Sequence, residues 1–559
     1  MKPLYLKLLA VLLMFSCASP KQYDIVIRNG TIVDGSGGTP YTGDVGIQSD
    51  TIAAIGDLSH VKGTLEIDAT GKAIAPGFIN MLSWAPYTLI VDGKSQSDIR
   101  QGVTLEVFGE GSSLGPLNEA MRKEEEAWQT DVKYPVTWST LKGGLDFLVN
   151  RGISTNIASF VGATTLRVNT VGYEDRAPTP EEMETMRKLT QQAMEEGALG
   201  IGSSLIYAPA FYSSTEELIE LCKVASQYGG MYISHMRSEG SRLLESLDEL
   251  IRIASEANLP AEVYHLKMSG KANWNKFDAV VAKIDSARAA GLAITTDMYT
   301  YTAGATGLDA AMPPWVQEGG YEQWAKRLKD PEIRKQVMTE MTTPTNAWES
   351  LMQAAEDPDN MLLVEFRADS LRYHTGKTLK QVSEHYGLSP EETAIELVIR
   401  DGSRVGTVYF LMSEENVRKQ IALPYMSFGS DAGSLAPEGI FLNGNEHPRA
   451  YGNFARLLGK YVREEGVISL QEAVYRLTTL PATNLKIHKR GALKPGYYAD
   501  VVVFNPETIT DHATFEDSHQ FSTGVQHVFV NGTQVLKDGA HTGTFPGRVV
   551  YGPGWKGER

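Results

Sequence analysis

Four polar side chains follow short apolar runs in this chain, and their types suit metal-assisted hydrolysis. Glu110 comes after Val107-Phe108-Gly109, His235 after Tyr232-Ile233-Ser234, His265 after Val263-Tyr264, and Asp431 after Phe428-Gly429-Ser430. Two histidines and a carboxylate form the ligand set of a catalytic zinc with a fourth position open for water. A metal so held lowers the pKa of its water and polarises a carbonyl. Asp431 is then the candidate to take the water's proton and deliver it to a leaving nitrogen. Any one of these residues alone could equally cap a helix or bond to backbone. The chain has 11 histidines, and the argument rests on two of them falling at the ends of neighbouring strands.

The elements that must position these groups are legible as rhythm. Strand-like runs occur at 73–81, 103–109, 156–161, 198–203, 231–234, 262–264, 293–296 and 425–429, with helical periodicity at 180–196, 215–227 and 243–257. Strands alternating with helices predict an α/β fold, a (β/α)8 TIM barrel, whose active site sits at the C-terminal strand ends. The interval 303–424 is too long for one crossover and is expected to be an inserted subdomain or lid before the last barrel strand. Within it, 321–329 and 390–400 read as helices, and 361–366 and 407–412 as apolar runs. The two ends share a β grammar: Ile25-Val26-Ile27 leads to the turn signal Asn29-Gly30, and Val528-Phe529-Val530 leads to Asn531-Gly532. A composite β-sandwich from both termini follows, with parts at 21–74 and 488–559 around a barrel at 75–487.

The net charge of −16 over 559 residues argues against nucleic acid as a partner, since that binding uses clustered Lys and Arg. Lys2 and Lys7 precede a short apolar run, Leu8 to Phe15, and then Ser16-Cys17. The run is too short to span a membrane and reads as a signal peptide, 1–20. A small residue before Cys17 resembles a lipoprotein processing site; a plain secretory signal is the alternative. The expectation is an exported protein, lipid-anchored through Cys17 to a bacterial membrane and facing the periplasm. Cys222, the other cysteine, falls on the apolar face of a predicted helix and reads as core.

Taken together, several stretches carry a family resemblance. They are Ala75-Pro76-Gly77-Phe78-Ile79, Gln101-Gly102-Val103-Thr104, Ser234-His235-Met236-Arg237-Ser238-Glu239, His265-Leu266-Lys267, Tyr299-Thr300-Tyr301, Gly429-Ser430-Asp431 and His447-Pro448-Arg449. In this order they resemble the D-aminoacylase (N-acyl-D-amino-acid deacylase) family of the amidohydrolase superfamily, from about Tyr23 to Val550. The resemblance implies a zinc held by Glu110, His235 and His265, catalysis by Asp431, and a substrate carboxylate held by Lys267, Tyr299 and Arg449. Better-known members carry cysteine at the Glu110 position. A carboxylate there leans toward harder ions, which leaves manganese and iron open beside zinc.

Two departures bear on the chemistry. The superfamily continues Pro-Gly-Phe-Ile with Asp-x-His-x-His, whereas this chain has Asn80-Met81-Leu82-Ser83-Trp84. Neither Leu82 nor Trp84 is a metal ligand, so one divalent metal per chain is expected in place of two. Ala163 stands where the family usually has histidine. The leading expectation is metal-dependent hydrolysis of an N-acyl-D-amino acid to a carboxylate and a D-amino acid. A dipeptidase or cyclic amidase of the same superfamily, and a catalytically inactive binding protein, are the alternatives.

Overall fold

The computed structural model describes residues 22–129 and 131–557. Cys17 and the predicted signal and anchor region lie outside the described residues. Strands from both ends of the chain join in one nine-stranded sheet. Ala73–Pro76 is its hinge: it runs parallel to Gln22–Ile32 and antiparallel to Val501–Phe504. Alternating Ile25, Ile27, Val45, Ile47, Ile74, Val501, Val503 and Phe529 fill the space under the sheet, so neither terminal segment has a complete core without the other. The β-sandwich is thus built from both termini.

The two Asn-Gly signals have different fates. Asn531 and Gly532, at φ 48° and 76°, turn the chain between Val525–Val530 and Thr533–Lys537. Asn29-Gly30 is instead a bulge within the single strand Gln22–Ile32, where the register shifts between Ile27 and Gly30. The Asp44 carboxylate accepts the Asn29 N–H at 2.8 Å and stabilises the bulge. Gly30 is required by close approach, since a Cβ there would lie 2.4 Å from Ile74.

The strands that carry the polar residues are parallel and follow chain order. Phe78–Asn80, Val103–Phe108 and Asn156–Ser159 form one sheet. Val161–Gly162, Gly200–Ser204, Met231–His235, Ala261–Val263, Ile294–Met298 and Met426–Phe428 form the next. The first of these strands is tied to the last: the Met81 N–H donates to Phe428 O at 3.1 Å, and Ser83 bridges Ala432 in parallel. The expected strand at 73–81 is divided at Gly77. A side chain at Gly77 would meet Thr104 at 2.1 Å, so the chain bends there from one sheet to the other. The first parallel strand therefore begins at Phe78, three residues beyond the boundary expected at 75. Within 303–424, Ala303–Gly307, Met361–Glu365 and Gly406–Phe410 make a separate antiparallel sheet of three strands. Cys222 is fully buried on the helix Thr215–Gln227. Among the described residues, no helix is long and apolar enough to cross a membrane.

A buried polar knot joins the terminal sheet to the parallel strands. Arg490 pairs with Asp500 and donates to Asn531 at 2.8 Å. Asp500 also accepts the Asn531 N–H at 2.9 Å and the Asn156 amide at 3.3 Å, while Asn531 donates to Asn156 at 2.8 Å. Removing one member of a buried pair leaves an uncompensated charge. Asp500→Ala is expected to lower stability by ~3–5 kcal/mol, read as a fall in the urea midpoint, because Arg490 stays buried without its partner.

Candidate metal centre and catalytic site

Strand ends deliver the expected ligands to one point. Glu110 Oε1 lies 3.1 Å from His235 Nδ1 and 3.0 Å from His265 Nε2. All three side chains are buried, and their ligand atoms lie within 4.8 Å of one another. For a tetrahedral zinc with N and O ligands, donor atoms stand about 3.3 Å apart. The three residues therefore fit a divalent cation, and they are the one such group of ligands among the described residues.

The electrostatics favour a cation at this point. Burial works to raise the Glu110 carboxyl, but the facing His265 and His235 hold it well below the ordinary range. His265 is pulled down by burial and by Lys267, yet Glu239 and Glu110 raise it to about 10. Without metal, a proton on His265 partly balances the two carboxylates; a divalent ion would displace that proton.

Behind the ligands stands Glu239, to which the sequence reading gave no role. It accepts the Lys267 ammonium at 2.7 and 2.9 Å, and lies 3.1 Å from His265 Nδ1. Lys267 Nζ is itself 2.7 Å from His265 Nδ1. Lys267, expected at the substrate carboxylate, is thus bound to Glu239 behind the metal ligands. The backbone also fixes His265. Its N–H donates to the buried Asp297 carboxylate at 2.8 Å, and its φ of 34° turns the side chain inward. The signal for Glu239 lay in its spacing of four from His235, too weak without the fold.

Asp431 stands next to the ligand group. Its Oδ1 accepts the Trp84 indole N–H at 3.1 Å, and the same N–H lies 3.0 Å from Glu110 Oε2. Trp84, which cannot ligate a metal, thus contributes a polar donor to the site. Oδ2 of Asp431 is 2.9 Å from Arg449 Nη1. Burial raises the Asp431 carboxyl, and Arg449 works against that rise. Arg449 lies over the Tyr299 ring at 4.5 Å, with Lys267 at 5.7 Å from the same ring. The Tyr299 hydroxyl and Arg449 Nε are buried without a hydrogen-bond partner among the described residues. His447 orients Arg449: Nδ1 accepts the Arg449 N–H at 3.0 Å, and Nε2 faces Ala303 O at 2.8 Å. Glu106, a second buried carboxylate on the strand that leads to Glu110, is held by Ser83 and Thr155, at 2.8 and 2.7 Å. Burial and Asp98 raise it to about 8, which keeps it protonated near neutral pH. Of the flanking aromatics, Tyr207 stands 5.3 Å from the His235 ring, whereas Tyr212 donates to Pro314 O at 2.7 Å.

Parallel strands presenting two histidines and a carboxylate at a buried point, with a terminal β-sandwich alongside, define an amidohydrolase fold. The Amidohydrolase family pattern matches residues 151–536. The D-aminoacylase of Alcaligenes xylosoxydans xylosoxydans is 32% identical, the match covering 96% of this chain and 99% of that one. A solved D-aminoacylase, described with a binuclear metal centre having one-metal activation and second-metal attenuation, superposes with TM-score 0.79 at 31% identity, over 95% of this chain and 100% of the other. An N-acyl-D-glutamate deacylase from Bordetella bronchiseptica, solved with zinc and a phosphonate mimic of the tetrahedral intermediate, gives TM-score 0.79 at 28% identity, with the same coverage. The chain belongs to the D-aminoacylase family of the amidohydrolase superfamily, and it is an amidohydrolase-type hydrolase.

Glu110→Ala is expected to release the metal, and Glu239→Gln to weaken its binding by ~10–100-fold through His265. Elemental analysis and chelator competition on the purified proteins measure both; full metal retention in Glu110→Ala would remove it from the ligand set.

Proposed function

We propose that this chain hydrolyses the amide bond of an N-acyl-D-amino acid to a carboxylate and a D-amino acid, using one divalent metal. The observation that carries the reading is the meeting of Glu110, His235 and His265 beside Asp431. With Asn156–Ser159 and Val161–Gly162 taken as one interrupted strand, the parallel strands are read as the eight of a closed (β/α)8 barrel, with 303–424 as the subdomain over its mouth. A cation on Glu110, His235 and His265, most simply zinc, supplies polarisation of the scissile carbonyl and a water of lowered pKa.

The chain's own groups do the rest. Asp431 accepts the water's proton and returns it to the leaving nitrogen, the exchange that frees the amine. Arg449 offers its guanidinium to the substrate carboxylate, and the Tyr299 hydroxyl supplies a second donor. Because Arg449 touches Asp431, the carboxylate anchor and the base are neighbours, so a bound α-carboxylate brings the adjacent amide to the base. Lys267 keeps Glu239 charged and so helps orient His265; its share in holding the substrate carboxylate requires Glu239 to release part of it. The D preference follows the relatives' substrates. Export and a lipid on Cys17 complete the reading.

A screen of N-acetyl-D- and N-acetyl-L-amino acids and dipeptides, with metal quantified, tests the substrate class; turnover confined to dipeptides would replace it. Asp431→Ala is expected to keep the metal and lose ~10²–10⁴-fold in turnover. For the anchor, labelled fatty acid should enter the wild-type chain in its bacterial host and not Cys17→Ser; equal labelling of both argues against that site.

A further inference from the structure

Trp84 stands where the superfamily's second histidine would be, two residues after Leu82 at the end of the first parallel strand. The residue is 44% exposed, so burial alone does not keep it in place. Its N–H is engaged twice, with Glu110 Oε2 at 3.0 Å and Asp431 Oδ1 at 3.1 Å. An indole is a donor only, and it stays neutral and protonated across the working pH range. It can therefore hold two carboxylates side by side without adding charge.

The backbone is laced to keep this contact. Trp84 N–H donates to Ala432 O at 2.9 Å, and Asp431 N–H donates to Leu82 O at 2.8 Å. The parallel bridge between Ser83 and Ala432 lies between them. Asp431 has φ of 50°, in the left-handed region that Asp adopts more readily than most side chains, and this lacing supports it. The carboxylate of Glu110 is divided in use: Oε1 faces both histidines, while Oε2 faces Trp84. Asp431 is likewise divided between Trp84 at Oδ1 and Arg449 at Oδ2. Each of its oxygens is thus oriented by one donor.

We infer that Trp84 is a positioning residue: its indole N–H, shared between Glu110 and Asp431, sets the Asp431 carboxylate against the candidate metal ligands. This rests on the reading of Asp431 as the proton acceptor. Small displacements of a reacting group are costly, ~10²-fold for about 1 Å.

The test uses the metal-loaded full chain. Trp84→Phe keeps a flat ring and removes the N–H. It is expected to lower kcat by ~10–100-fold, with KM within about twofold and metal content unchanged. A kcat equal to wild type, or a loss carried by KM alone, overturns the inference. A second measurement stands even if that variant does not fold. With ¹⁵N-labelled tryptophan, one of the eight indole N–H resonances should shift between wild type and Asp431→Ala. No shift in any of them overturns the role of Trp84. The two readings separate: full turnover in Asp431→Ala sinks the deacylase mechanism, whereas lost turnover with unmoved indole resonances sinks Trp84 alone.

Discussion

Everything at this site depends on placing negative charge where water cannot reach it. Glu110 and Glu239 are both buried, and both stay ionised because His235, His265 and Lys267 surround them. Such an arrangement is unfavourable unless each charge is matched, and here Lys267 and a protonated His265 stand against the two carboxylates. The parallel strands have to hold five such groups within a few ångströms, and the hydrogen bonds behind them show how. Asp297 carries the His265 backbone, and Glu239 stands between Lys267 and both imidazoles.

The catalytic half of the site is organised by neutral and cationic donors. Trp84 and Arg449 each take one oxygen of Asp431, so the carboxylate has little freedom to rotate. His447 carries this order outward, because its ring joins the Arg449 N–H to the carbonyl of Ala303 in the antiparallel subdomain. Burial and the Arg449 charge lower the basicity of His447, which suits a neutral ring accepting at Nδ1. The subdomain is therefore connected to the group that would hold the substrate.

The alternation of apolar runs and helical periods was enough to find the parallel strands, because fully buried strands are nearly continuous in Val, Ile and Leu. Helices such as Thr215–Gln227 and Leu243–Ala257 matched their periodicity, each having one apolar face against the core. Local signals failed where a distant partner decided the outcome. Asn29-Gly30 reads like Asn531-Gly532, but Asp44 and Ile74 make it a bulge. The run at 73–81 looks uniform, and only Thr104 against Gly77 divides it. At the site, the grouping of Glu110, His235 and His265 was readable from strand ends. The pairing of Lys267 with Glu239 was not, since it depends on the depth to which each side chain is buried. Nor was the use made of Trp84, because a tryptophan in sequence announces its ring and not the direction of its N–H.

The strand Ala73–Pro76 has one neighbour near the start of the chain and another more than four hundred residues later. The tail closes a second long loop, since Val549 pairs with Ile157 and the Gly552 N–H reaches Gly197 O. These contacts cannot form until synthesis is nearly finished. Until then the hinge strand presents an open apolar edge, which makes the unfinished polypeptide a substrate for chaperones and a hazard for self-association.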